Sequence, residues 1–276
     1  MGETALNTGI SIFYICLLCL AHRCQKKAGA QKCTKIRLLQ NIKIYIANFP
    51  QIDMPELHEI PHLIHANGGA IIDNISKTAV AEYAFLKMQL HQSGDLTQDA
   101  AFQERFQDLH QFNVYRVKPA VRKRVFEVLE AVKSTENPDI RQIALELTRE
   151  ADLKNFQLKQ FYVVSTILHL LDDRNPLYDR HNAYLFDFST PGSMNLSNYQ
   201  QMTLFIEHYE ALRTAFDSLL ENKYVQDLLK VVKIKFSAHK DVLSLHKRLD
   251  LLLRSAGDLK QKGLLIHASR VAELNE

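Results

Sequence analysis

The stretch Leu158 to Leu171, LKQFYVVSTILHLL, constrains the fold more than any other, because after Gln160 its only polar members are Ser165, Thr166 and His169. A helix that is apolar on nearly every side is stable only when surrounded, so the segment predicts a buried central helix with other elements packed around it. The rest of the chain can supply them. Nine glycines and seven prolines are all that interrupt 276 residues rich in Leu, Ala, Lys, Glu and Gln, which lose little conformational freedom on entering a helix. The expected class is all-α: a single multi-helix globular domain over residues 34–276, preceded by a hydrophobic and basic leader over residues 1–33.

Charge is unevenly placed. Residues 1–50 hold seven Lys or Arg against one Glu, a net +6, so the remainder carries −3 of the total +3. Any nucleic-acid surface on the body must therefore be a local patch. All four cysteines, Cys16, Cys19, Cys24 and Cys33, lie in the first 33 residues, which fits a reducing, cytoplasmic setting without a disulfide framework. Two of them fall inside the apolar run Ile10 to Ala21. That run is shorter than the roughly 20 residues needed to span a bilayer. It reads as a dispensable leader or a peripheral membrane attachment, with no obligatory membrane partner.

Start and stop signals divide the body into helices. A first element is expected over Ile36 to Phe49 and a short one around Glu56 to His65. A long helix runs from Ile71 to Gln92, and one capped by Thr97 follows. Further helices open at Pro119 and after Asn137-Pro138, and three amphipathic ones cover Ser197 to Glu221, Tyr224 to Phe236 and Asp241 to Arg254.

The central helix ends in LLDDRNPLYDRHNAYLFDF, Leu170 to Phe188, with Asp172, Asp173, Arg174, Asp179, Arg180, His181 and Asp187 close together. Two acids at a helix C-terminus oppose the macrodipole and need a compensating cation. Asp179 is placed to cap the helix RHNAYLF, and that structural role is the plainer reading of the turn.

VSTILHLLDDRNPLYDRHNAYLF also resembles a stretch of the helix-hairpin-helix DNA glycosylase superfamily, in which a buried helix leads through a Pro-containing turn to a helix-capping Asp. Pro176, Asp179 and His181 carry the likeness, with one more residue between Pro and Asp than in the family turn. The resemblance implies that Asp179 is the catalytic aspartate that stabilises positive charge at the sugar, or activates water, as an extruded base leaves. It covers about a tenth of the chain. The family's Gly-rich hairpin is missing from LKNFQLKQFYVVS, and Tyr162 stands where a lyase lysine would fall. The implied function is thus DNA binding in DNA repair, with N-glycosidic hydrolysis as its possible chemistry and no cofactor. Lys154, Lys159, Arg174, Arg180 and His181 are the phosphate-contacting candidates near the turn.

Independently of any resemblance, RVKPAVRKRV places Arg122, Lys123 and Arg124 at a helix start, where basic side chains and free amides hold phosphates. A second basic run comprises Lys223, Lys230, Lys233, Lys235, Lys240, Lys247 and Arg248. Two alternatives stand beside the DNA-binding reading. HEIPH matches H-E-x-x-H, so His58, His62 and Glu82 could hold zinc with Glu59 as base, although Pro61 interrupts the helix face that the motif requires. The other alternative is a non-catalytic helical interaction protein. Ser165 and His169 read as core residues rather than nucleophile and base.

Overall fold

The structure, a computed structural model, describes residues 59–149, 158–188 and 197–265. Residues 1–33, the helix expected over residues 36–49, His58 and Lys154 lie outside the described residues. Among those described, eleven α-helices and no strand are present, so the protein is all-α. We number them α1 (Glu59–Ala66), α2 (Gly68–Asp73), α3 (Lys77–Gln92), α4 (Ala100–Leu109), α5 (Pro119–Val132), α6 (Ile140–Arg149), α7 (Leu158–Leu171), α8 (Arg180–Leu185), α9 (Asn198–Glu221), α10 (Lys223–Lys235) and α11 (Leu245–Gln261).

The periodic segments become helices largely where the pattern puts them, and the differences trace to caps. The single helix expected over Ile71 to Gln92 is two. Asn74 ends α2, and Ser76 starts α3 by accepting a hydrogen bond from the Ala79 amide, as an N-cap serine does. Asp99, not Thr97, caps α4 by accepting from the Phe102 amide at 2.9 Å, while Thr97 donates to Asp95. The last long helix opens at Leu245 rather than Asp241, with Ser244 accepting from the Lys247 amide. Two turns close without glycine. Gln111 and Arg116 stand at φ of 52° and 51°, and the Phe112 and Val117 amides bond back to the carbonyls of Gln107 and Phe112. The first ends α4, where glycine usually takes the left-handed position, and the second closes the turn that follows.

Helix α7 is buried from Phe161 to Leu170, with Phe161, Val164 and Ile167 sealed from solvent. It packs with α5, α6 and α9. Helix α11 is the second central element, touching α2, α8, α9 and α10. Its approach to α8 is so close that a Cβ on Gly257 would meet the carbonyl oxygen of His181 at 2.2 Å. Together α7 and α11 frame the turn that carries Asp179. No described helix is long and apolar enough to cross a membrane.

Candidate functional site

Asp179 occupies the position its local sequence dictates. Its Oδ1 accepts from the amides of His181 (3.0 Å) and Asn182 (2.9 Å), which opens α8. Its Oδ2 accepts from Arg254 Nε at 2.7 Å, across from α11. The residue is only 1% exposed. Both oxygens are therefore spent on local amides and a guanidinium. Asp179 thus serves as the cap of α8 and the partner of Arg254. A general base or cation stabiliser must reach the reacting atoms, and Arg254 fills that position instead. Burial acts to lower the affinity of the Arg254 guanidinium for its proton, but Asp179 and Asp250 outweigh it and raise that affinity.

Behind Asp179 lies a polar seam between α3, α7 and α11. His169 Nδ1 is 2.7 Å from the Asn175 carbonyl, which can only accept, so Nδ1 carries the proton. Its Nε2 lone pair then accepts from Lys247 Nζ at 2.8 Å. Lys247 also donates to Asp250 Oδ2 at 2.8 Å and sits 4.1 Å above the Tyr83 ring. Burial, with Lys247 beside it, pushes His169 down to about 4. Burial works to raise Asp250, yet Lys247, His169 and Arg254 hold it at about 2. Asp173 accepts from the Tyr83 hydroxyl and from Lys87 at 3.1 Å, and Lys87 also donates to the carbonyls of Leu170 and Leu171. Lys87 is thus the cation that answers Asp173 at the end of α7, while Arg174 answers Asp172.

Ser165 donates to the Tyr162 carbonyl one turn back and accepts from the Tyr178 amide, so it makes no pair with His169. Sequence reasoning had placed Lys247 in a basic cluster and had not singled out Asp250 or Arg254. Their spacing of three and four residues along α11, on the side shared with Leu251 and Gly257, was the available signal.

The basic candidates have separate fates. Arg174 folds back on Asp172 at 2.7 Å. Arg180 is exposed, 3.4 Å from His181 Nε2. His181 is partly buried, and that burial lowers its affinity for a proton. The backbone of Lys159 lies in α7. Arg124 joins α5 to α6 by pairing with Glu127 (2.9 Å) and Glu146 (2.5 Å). Arg122 donates through Nε to the Val117 carbonyl at 2.8 Å and through its other nitrogens, at 3.4 Å, to Gln107 and the Phe112 carbonyl. The ammonium of Lys123, whose side chain is 82% exposed, has only a 3.7 Å approach to Glu127 among the described residues.

Arg122 and Lys123 line a cavity of about 460 Å³ together with Thr97, Gln98, Gln103, Gln107, Phe126 and Glu127. It lies along the first two turns of α5, beside α4. No protein-family model, curated protein or solved structure matches this chain. Its side chains are therefore what a functional reading rests on.

Of the zinc alternative, His58 lies outside the described residues, and the described members contact different neighbours. His62 and His65 lie against the Tyr224 ring, with centroids 5.8 and 4.5 Å away. Glu82 pairs with Arg105 at 3.5 Å, and Glu59 and Pro61 belong to the first turn of α1. No group of three or more His, Cys, Asp or Glu that could hold a metal ion is gathered among the described residues. Tyr184 is 45% exposed, and Lys260 stands 5.6 Å from its ring.

Proposed function

We propose that this protein binds a phosphate-rich partner, DNA foremost, along the cleft between α4 and α5, and that it does not excise a base at Asp179. The supporting observation is that cleft: a concavity of about 460 Å³ where Arg122 and Lys123 meet Thr97, Gln98, Gln103 and Gln107. Lysine, arginine, hydroxyl and amide side chains are the groups that contact phosphate and sugar oxygens without reading sequence. Helix α5 has Pro119 in its first turn and Lys118 at its N-cap, with no side-chain cap bond. Its positive end is left to solvent beside the lysine, which favours an anion further.

Glu127 opposes such binding, since it lines the same cleft. That opposition makes the reading testable in two directions. Binding of a labelled duplex would be followed across a salt series. Lys123→Ala should weaken it for all sequences and reduce the log–log salt slope by about 1, whereas Glu127→Gln should strengthen it. If neither variant departs from the parent, the cleft is not the binding surface. Base release that disappears in a folded Asp179→Asn protein would overturn the exclusion of chemistry at that residue.

A further inference from the structure

Of the second basic run, the structure spends three members internally. Lys247 is in the buried seam, Arg248 bonds the carbonyls of Ser244 and Leu229, and Lys235 bonds the Ile72 carbonyl and Asp73. Lys223, Lys230, Lys233 and Lys240 remain exposed. Helix α10, which carries the first three, buries Val225, Leu229 and Val232 inward. Yet it also displays Ile234 at 74% exposure, Val231 at 46% and Tyr224 at 42%. At about 100° per residue, Tyr224, Val231 and Ile234 fall within an arc of about 80° that Asp227 shares, and Lys223, Lys230 and Lys233 fill the adjoining arc of similar width. The outward surface of α10 therefore sets an apolar arc, interrupted by Asp227, beside a cationic one.

We propose that this face of α10 is a peripheral docking surface for an anionic lipid bilayer. A face of this kind suits a bilayer because aliphatic side chains can enter the acyl boundary while lysines extend on long stems to lipid phosphates. Charge complementarity favours anionic lipid. Among the exposed groups of α10, only Asp227 opposes the lysines, and it is already paired with Lys230 at 2.7 Å. Helix α10 packs against α1, and α1 is where the 58 preceding residues, with their apolar run Ile10 to Ala21 and clustered basic residues, join the body. A chain tethered through that run would thus be tied to the membrane at the helix next to this face.

The full chain would be sedimented with phosphatidylcholine vesicles with and without phosphatidylserine. Expected is binding that requires phosphatidylserine and is lost in high salt. The double variant Lys230→Glu/Lys233→Glu should lower the partition coefficient more than tenfold, given about fivefold per lysine near an anionic surface. Ile234→Asp, at an exposed position that folding does not depend on, should lower it as well. Both variants should keep the parent's circular dichroism spectrum and its affinity for duplex DNA, which separates this face from the α4–α5 cleft. The proposal is overturned by any of three results: no binding to phosphatidylserine vesicles, equal binding by parent and variants, or loss of DNA binding instead of vesicle binding in the double variant.

Discussion

The turn after α7 and the start of α5 contain the same kinds of residue, lysines, arginines and acids within a few positions, and the fold uses them in opposite ways. Around the turn, Asp173 and Asp179 are each closed off by a cation from another helix, Asp250 is closed off by Lys247 one turn away on its own helix, and all three are buried. At α5, Arg122 is half committed to backbone carbonyls and Lys123 is left in water at the edge of a cleft. A charge taken out of water needs a partner of opposite sign held in place, so the first region can only stabilise and specify the packing. A charge left in water costs little to retain and is free to meet a ligand. Clusters of charge in a sequence thus say little about a site until it is known which of them another helix covers.

The contrast breaks first at Asp250. Asp250→Ala leaves Lys247 buried beside a neutral histidine and should cost about 3–5 kcal/mol, read from urea unfolding. Replacing both partners, Lys247→Met with Asp250→Leu, should recover most of that loss. A single variant that costs less than the double would remove the seam's claimed role.

Next in size is the response to acid. His169 takes a proton at about 4 in the folded chain against an ordinary 6.5. Between those values the unfolded chain binds more protons, so stability is complete above 6.5 and falls as the pH drops toward 4. Asp250, held at about 2 against 3.8, adds a further loss below the ordinary carboxylate range. Going from about pH 7.5 to about pH 5 should cost roughly 2 kcal/mol through His169 alone, with a smaller cost in His169→Gln. A midpoint that stays constant over that range would show that the histidine is not held neutral by the seam.

Gly257→Ala tests how tightly α11 closes on α8, because the new Cβ meets the His181 carbonyl. Overpacking at such a contact should lower thermal stability by about 2 kcal/mol. Smaller and opposite in sign, Gln111→Gly should stabilise by about 1 kcal/mol by relieving a left-handed backbone at the end of α4; urea unfolding reads it. Smallest is Lys123→Ala, which should change stability by less than about 0.5 kcal/mol while altering the salt dependence of DNA binding. A large loss of stability there would mean that the cleft is as structural as the seam.

Much of the helical order could be read directly. Helix α7 spans Leu158–Leu171 as its apolar run predicts, Pro119 stands in the first turn of α5, and Asp179 caps α8. These features depend on neighbours within a turn or two. The break between α2 and α3, and the choice of Asp99 over Thr97 as cap, were harder. Several residues there have cap chemistry, and only the backbone path selects among them.

The candidate site was legible in part. Arg122 and Lys123 were found as a pair at a helix start, but nothing local reveals that Arg124 is taken by Glu146. The resemblance at Asp179 pointed to a carboxylate at the start of a short helix, and the carboxylate is there. Its accessibility depends on Arg254, 75 residues further on.

By itself the sequence determined the helical class, the central place of α7 and the caps that start most helices, since periodicity and capping are short-range properties of the chain. Which charges are sealed, which remain in water and where a cleft opens were decided only in the tertiary structure. Burial and ion pairing join residues on helices distant in the chain, and no local pattern of residue types encodes who the partner will be.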